Sequence, residues 1–275
     1  MVKTALKEIV GQKKKEGTPN FVIKNYLKEY LQYPALDFIY NSRDYKSFIF
    51  TGGSCLRICF NAPRLSEDLD FDLYGKDYRK LDMPKMADNL KECFKKKYLI
   101  EIKTKCQAGK RIYLKFPILK ELKLSEPSES DFLYVKIEIS RTGFRKPAVE
   151  LSPISRHGFN FVIRNYALPF LMSGKLNAIF SRKWFKGKKN EIDIKGRDFY
   201  DLFWYLQRGV SPNWNSLKSS INIADQEELK KELMKIINKN VTSQKLSHDL
   251  KNFFPDQNFV SDFCKNYKKI VGKYL

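Results

Sequence analysis

The period of the apolar positions changes several times along the chain, and each change marks an element. Residues 2 to 15 and 20 to 42 repeat at helical spacing. The second segment carries Phe21, Ile23, Tyr26, Leu27, Tyr30, Leu31, Leu36, Ile39 and Tyr40, with Pro34 expected to kink it. Phe48 to Phe50 is a short apolar run of the kind a buried strand shows, and it stops at Gly52 and Gly53, where the backbone can turn sharply or approach a ligand. Cys55, Leu56, Ile58, Cys59 and Phe60 supply the apolar side of a short helix that Pro63 ends. From Asp68 the pattern alternates strictly, with Asp68, Asp70 and Asp72 on one side and Leu69, Phe71 and Leu73 on the other. That is the period of a half-buried strand.

Pro84 to Tyr98 reads as a helix with Met86, Leu90, Cys93 and Phe94 inward. Residues 99 to 106 and 110 to 116 alternate as two strands joined by a hairpin at Ala108-Gly109. A loop over 125 to 131 precedes Phe132 to Ser140, a strong strand signal. Gly143, Pro147, Pro153 and Gly158 make 141 to 160 read as irregular. Beyond it the pattern is helical: Leu168 to Arg182, then a basic loop from Lys183 to Asn190 with Lys186, Lys188 and Lys189 around Gly187, then a helix opening near Lys195, and further helices from 213 to 275. The expected organisation is an α/β domain over 1–160, N-terminal helices included, and a mainly helical domain over 161–275 that completes a cleft.

Composition narrows the class. The chain has 275 residues, 43% of them hydrophobic, enough for a sizeable core, and a formal charge of +21. Such a field attracts phosphate backbones, although a lysine-rich composition alone produces the same number. No signal peptide or apolar span is evident, so a cytoplasmic protein without membrane contact is expected. The five cysteines show no C-x-x-C spacing and read as reduced core thiols, and two histidines are too few for a histidine-based metal site. Metal chemistry therefore falls to carboxylates.

The Gly52-Gly53-Ser54 turn and the carboxylates of the next strand are the chemical candidates. A glycine turn into a helix start presents backbone N–H groups and a hydroxyl to phosphates. Asp68 and Asp70, two apart on a strand, point the same way and can hold Mg²⁺, or Mn²⁺ in its place, through oxygen ligands. Glu138, in the middle of an otherwise apolar strand, reads either as a third carboxylate at this site or as an exposed edge position. The hydroxyl of Ser66 binds phosphate, receives a regulatory phosphoryl group or shapes the turn, the last being favoured.

Hydrophobic residues, Gly-Gly or Gly-Ser, a short interval and D-x-D resemble the signature of the DNA polymerase β type nucleotidyltransferases. More narrowly, Gly52-Gly53-Ser54-Cys55-Leu56-Arg57 followed by Pro63-Arg64-Leu65-Ser66-Glu67-Asp68-Leu69-Asp70-Phe71 is similar to the "GGTALR…PRxSEDLDF" block of the AbiEii-type toxins of abortive-infection, type IV toxin-antitoxin systems. Lys175 to Arg182, the basic loop and Lys195 to Leu202 resemble that family's second block. The resemblance implies an α+β fold with a mixed sheet and a helical C-terminal domain. It further implies a Mg²⁺-dependent enzyme that moves a nucleoside monophosphate from an NTP to RNA, at the acceptor end of tRNA, and a cognate antitoxin. On it Asp68, Asp70 and Glu138 hold metal, Gly52, Gly53, Ser54, Arg57, Ser66 and Lys175 bind nucleotide, and Asp198 orients Lys175 or the substrate. A protein or small-molecule acceptor, or a non-catalytic nucleotide- or RNA-binding protein of the same fold, are the alternatives.

Overall fold

The computed structural model describes residues 2–144, 147–182, 185–186 and 192–275. Lys183, Gly187, Lys188, Lys189 and Asn190 of the basic loop lie outside them. The chain divides into two compact units, Met1–Tyr166 and Ala167–Leu275.

The first unit opens with helices α1 (Val2–Lys15) and α2 (Asn20–Asn41), the latter continuing across Pro34. Strand β1 (Ile49–Thr51) passes into helix α3 (Gly52–Phe60), and Asn61 ends that helix in the left-handed conformation. Strand β2 (Asp68–Leu73) follows, with its aspartates half-buried and its apolar residues buried, as alternation requires. Helices α4 (Gly75–Lys80) and α5 (Met83–Tyr98) lead to the β3 (Lys103–Gln107) and β4 (Arg111–Pro117) hairpin, where Ala108 and Gly109 both take positive φ. Strands β5 (Phe132–Arg141), β6 (Val149–Arg156) and β7 (Phe159–Tyr166) complete the sheet, in the order β3-β4-β5-β2-β1-β7-β6. It is mixed: β2 runs antiparallel to β1 and parallel to β5, and β7 runs parallel to β1.

Residues 141 to 160 depart from the irregular segment expected. The whole of β6 and the start of β7 lie there, joined at His157 and Gly158, which both have positive φ. Pro153 is compatible with a strand because β6 is an edge of the sheet. The boundary expected at 160 therefore falls inside β7, whereas the first compact unit ends at Tyr166.

One face of the sheet is apolar. Ile112, Leu114, Val135, Ile137, Leu69 and Phe71 are almost fully buried on it, beside α2 and α5. The alternate positions on β2 and β5 carry the candidate site.

The second unit is helical: α6 (Leu168–Ser181), α7 (Gly196–Gln207), α8 (Trp214–Ile221), α9 (Gln226–Asn240), α10 (Ser243–Leu250) and α11 (Gln257–Val271). Asp225 and Asp256 cap α9 and α11 by accepting from backbone N–H groups. Gly196 is required where α7 meets α10, because a Cβ there would overlap the Leu246 carbonyl.

Candidate active site

Register brings the sequence candidates of the first unit together. Thr51 on β1 is opposite Asp70, Asp70 is in register with Glu138 on β5, and Asp68 with Lys136. Gly52 has φ +75°, and a Cβ on it would overlap the Asp70 carboxylate. Gly53 is equally constrained: a Cβ would overlap the guanidinium of Arg64 and lie 3.0 Å from Ser66 Oγ. Both glycines are needed for the backbone to approach the carboxylate strand this closely.

The side chains around the turn are placed differently from one another. Ser54 is fully buried, and its hydroxyl donates to the Asp68 carbonyl, tying the start of α3 to the start of β2. Ser66 is buried beside Gly53, and its carbonyl accepts from Gln32 at 3.0 Å. Arg64 is 2% exposed and donates to the Leu65 carbonyl at 2.9 Å. Arg57, expected at the nucleotide, instead holds Glu29 with two bonds of 2.9 and 3.1 Å and donates to the Ala62 and Pro63 carbonyls. It clamps the α3–β2 connection.

The three aspartates of β2 have different neighbours. Lys136 Nζ lies 3.0 Å from Asp68, and the Tyr166 hydroxyl donates to Asp72 at 2.8 Å. Burial raises the Asp72 pKa, with the Tyr166 bond opposing the rise. Asp70 sits between them, against Gly52.

Glu138 is held by cations. Arg111 makes a two-bond fork to it at 2.9 and 3.0 Å, and Lys136 donates at 3.2 Å. Burial raises its pKa, but the Arg111 bond and the Lys136 charge outweigh that and hold the carboxyl at about 2. Burial lowers the Lys136 pKa, and Asp68, Asp70 and Glu138 together raise it above the ordinary value. Lys136 and Arg111 were not among the sequence candidates, since only cross-strand register reveals them.

Asp68 and Asp70 fit Mg²⁺ by chemistry: two hard oxygen donors on one strand face, with the Asp68 side chain 30% exposed. Magnesium uses one or two carboxylates and completes its shell with phosphates and water. Among the described residues no group of three metal-ligating side chains forms, and the Glu138 carboxylate is turned to Arg111 and Lys136 instead of joining the pair.

In the second unit Lys175 on α6 reaches two carboxylates of α7, Asp198 at 2.7 Å and Asp201 at 2.8 Å. Arg182, just past the C-terminal end of α6, meets Asp198 as well. Burial raises the Asp198 pKa, but Lys175 and Arg182 outweigh it and bring it to about 2. Asp198 and Asp201 thus both hold Lys175.

The protein is a nucleotidyltransferase of α+β fold with a mixed sheet. Residues 35–262 match the family model described as "Nucleotidyl transferase AbiEii toxin, Type IV TA system", and the chain belongs to that family. The family implies a nucleotide substrate and a cognate antitoxin. Two solved Helicobacter pylori structures are similar. JHP933 is 16% identical, with a TM-score of 0.50, over 90% of this chain and 92% of its own. A candidate nucleotidyltransferase is 16% identical, with a TM-score of 0.48, over 90% of this chain and 93% of its own. At that identity the likeness to JHP933 speaks for the fold. No curated protein sequence matches. No helix among the described residues is long and apolar enough to cross a membrane.

Proposed function

We propose that this nucleotidyltransferase moves a nucleoside monophosphate from an NTP to RNA, at the acceptor end of tRNA, and so blocks translation. The observation that carries the reading is the juxtaposition of the Gly52-Gly53 turn with Asp70, supported by the Asp68–Lys136 contact and the net charge of +21. An RNA hydroxyl attacks the α-phosphorus, a P–O bond forms, the bond to the bridging oxygen breaks, and pyrophosphate leaves while the hydroxyl proton passes to solvent.

Asp68 and Asp70 would hold Mg²⁺, which supplies neutralisation of the triphosphate charge when bound. The start of α3 directs its positive end and the backbone N–H groups around Gly53 to the outer phosphates. Ser54 serves by fixing Asp68 through the backbone rather than by touching phosphate. Glu138, ionised far below neutral pH, is a poor base and serves by holding Arg111 and Lys136. Lys175 is assigned to phosphate by family likeness, with Asp198 and Asp201 positioning its ammonium.

The test is incubation with each α-labelled NTP, Mg²⁺ and total bacterial tRNA, beside protein and small-molecule acceptors. Label in tRNA that disappears with Asp68→Asn is expected. Label confined to protein or a small molecule overturns the RNA acceptor.

A further inference from the structure

The face of β2 that carries Asp68 and Asp70 continues across three neighbouring strands. In one row Asp68 is followed by Lys136 on β5, Tyr113 on β4 and Lys105 on β3. The row beside it runs Tyr134, Lys115 and Lys103. Every one of these side chains points to the same side, because partners in register share a face. The surface they form is accessible: Tyr134 is 40% exposed, and Lys103 and Lys105 on the edge strand are exposed.

Charge and rings alternate on this surface. Lys103 Nζ lies 5.4 Å from the Phe132 ring centroid and Lys115 Nζ 5.8 Å from that of Tyr134, with the two rings 6.4 Å apart. Lys103, Lys105, Lys115, Lys136 and Arg111 share the face with one carboxylate outside β2, Glu138, which Arg111 and Lys136 already neutralise. Cations at the spacing of a pleated sheet, interleaved with half-exposed aromatic rings, suit a chain that carries phosphates and flat bases together. An acidic protein would use the charges and leave the rings without a partner of matching shape.

We propose that this face of β3, β4 and β5 seats a single-stranded RNA segment whose 3′ end reaches the Asp68–Asp70 pair. The lysines neutralise its phosphates, and Tyr134 stacks on a base. Register places the platform beside the carboxylates: three strand spacings, about 14 Å, separate β2 from the β3 edge. The inference rests on the RNA-acceptor reading above and adds the surface that would hold that acceptor.

The experiment uses the full chain and a 5′-fluorescein single-stranded RNA 12-mer with a free 3′ hydroxyl, followed by fluorescence anisotropy across a salt series. Circular dichroism checks that each variant is folded, and label transfer to tRNA is measured alongside. Tyr134→Ser is expected to weaken binding about tenfold, and Tyr134→Phe to restore it, since stacking needs the ring and not the hydroxyl. The double variant Lys103→Gln, Lys105→Gln should lower the slope of log affinity against log salt by about 1.4, the share of two phosphate contacts on a single strand. Wild-type affinity and slope in these variants, with tRNA still labelled, would overturn the platform and leave the RNA reading standing. RNA neither bound nor labelled by the wild type would overturn both. Equal losses in Tyr134→Ser and Tyr134→Phe would overturn the stacking role.

Discussion

The two carboxylate clusters of this protein are built from similar residues and used oppositely. In the helical unit Asp198 and Asp201 are sealed, with side-chain exposures of 7% and 1%, and Lys175 and Arg182 answer them. On β2 the Asp68 side chain is 30% exposed, and the Asp70 carboxylate lies against a glycine turn that a methyl group would close. A buried charge must be paired where it stands, whereas a half-exposed pair of carboxylates can exchange a lysine contact for an incoming cation. The first cluster therefore holds a side chain in place, and the second leaves room for a ligand.

Breaking the sealed cluster should have the larger energetic effect. Lys175→Met removes the ammonium shared by two buried aspartates, and urea denaturation is expected to show a loss of about 3–5 kcal/mol of stability. At the open cluster, Gly52→Ala pushes a Cβ into the Asp70 carboxylate and strains a backbone at φ +75°. Displacing a catalytic group by about an ångström costs on the order of a hundredfold in rate, and that drop in label transfer is expected with little change in nucleotide specificity.

Acid separates the clusters further. The Asp198 carboxyl is lowered from 3.8 to about 2 in the folded protein. A folded value below the unfolded one gives stability that is complete above pH 4 and is lost as the pH falls towards 2. Chemical denaturation at several pH values should show this loss, and Asp198→Asn should flatten that part of the curve. Glu138 titrates in the same direction but is partly solvent-screened, so its variant should change the curve less. The smallest effect is expected at Arg57: Arg57→Lys loses the fork to Glu29 and about 1 kcal/mol by thermal melting, with transfer per folded molecule maintained.

What could be read from the sequence follows the range of the interactions. The β2 strand announces itself because alternation is local, and so do the glycine turn and the helices whose apolar stripes repeat. Lys175 and Arg182, seven apart on one helix, could be placed on one face beforehand. The β6–β7 hairpin could not, because Pro153 and the two glycines resemble a loop unless the strand is known to be an edge. Glu138 was found by its odd position in an apolar strand, but its partner Arg111 lies on another strand and comes into contact only through the β4–β5 register. Arg57 and Ser54 sit in the family's motif, yet the structure spends both on holding the α3–β2 connection.

The central claim is that the open end of the β2 face, not its charge alone, makes the site. Asp70 and Asp72 lie on the same strand and the same side, one against the glycine turn and the other bonded to Tyr166. Single-turnover label transfer by Asp70→Asn and Asp72→Asn, each at saturating NTP and Mg²⁺, compares them directly. The account predicts a fall of about 10²–10³ for Asp70→Asn, as for loss of a preorganised electrostatic group, and a rate near that of the wild type for Asp72→Asn. Equal losses in the two variants, or an unimpaired Asp70→Asn, would contradict it.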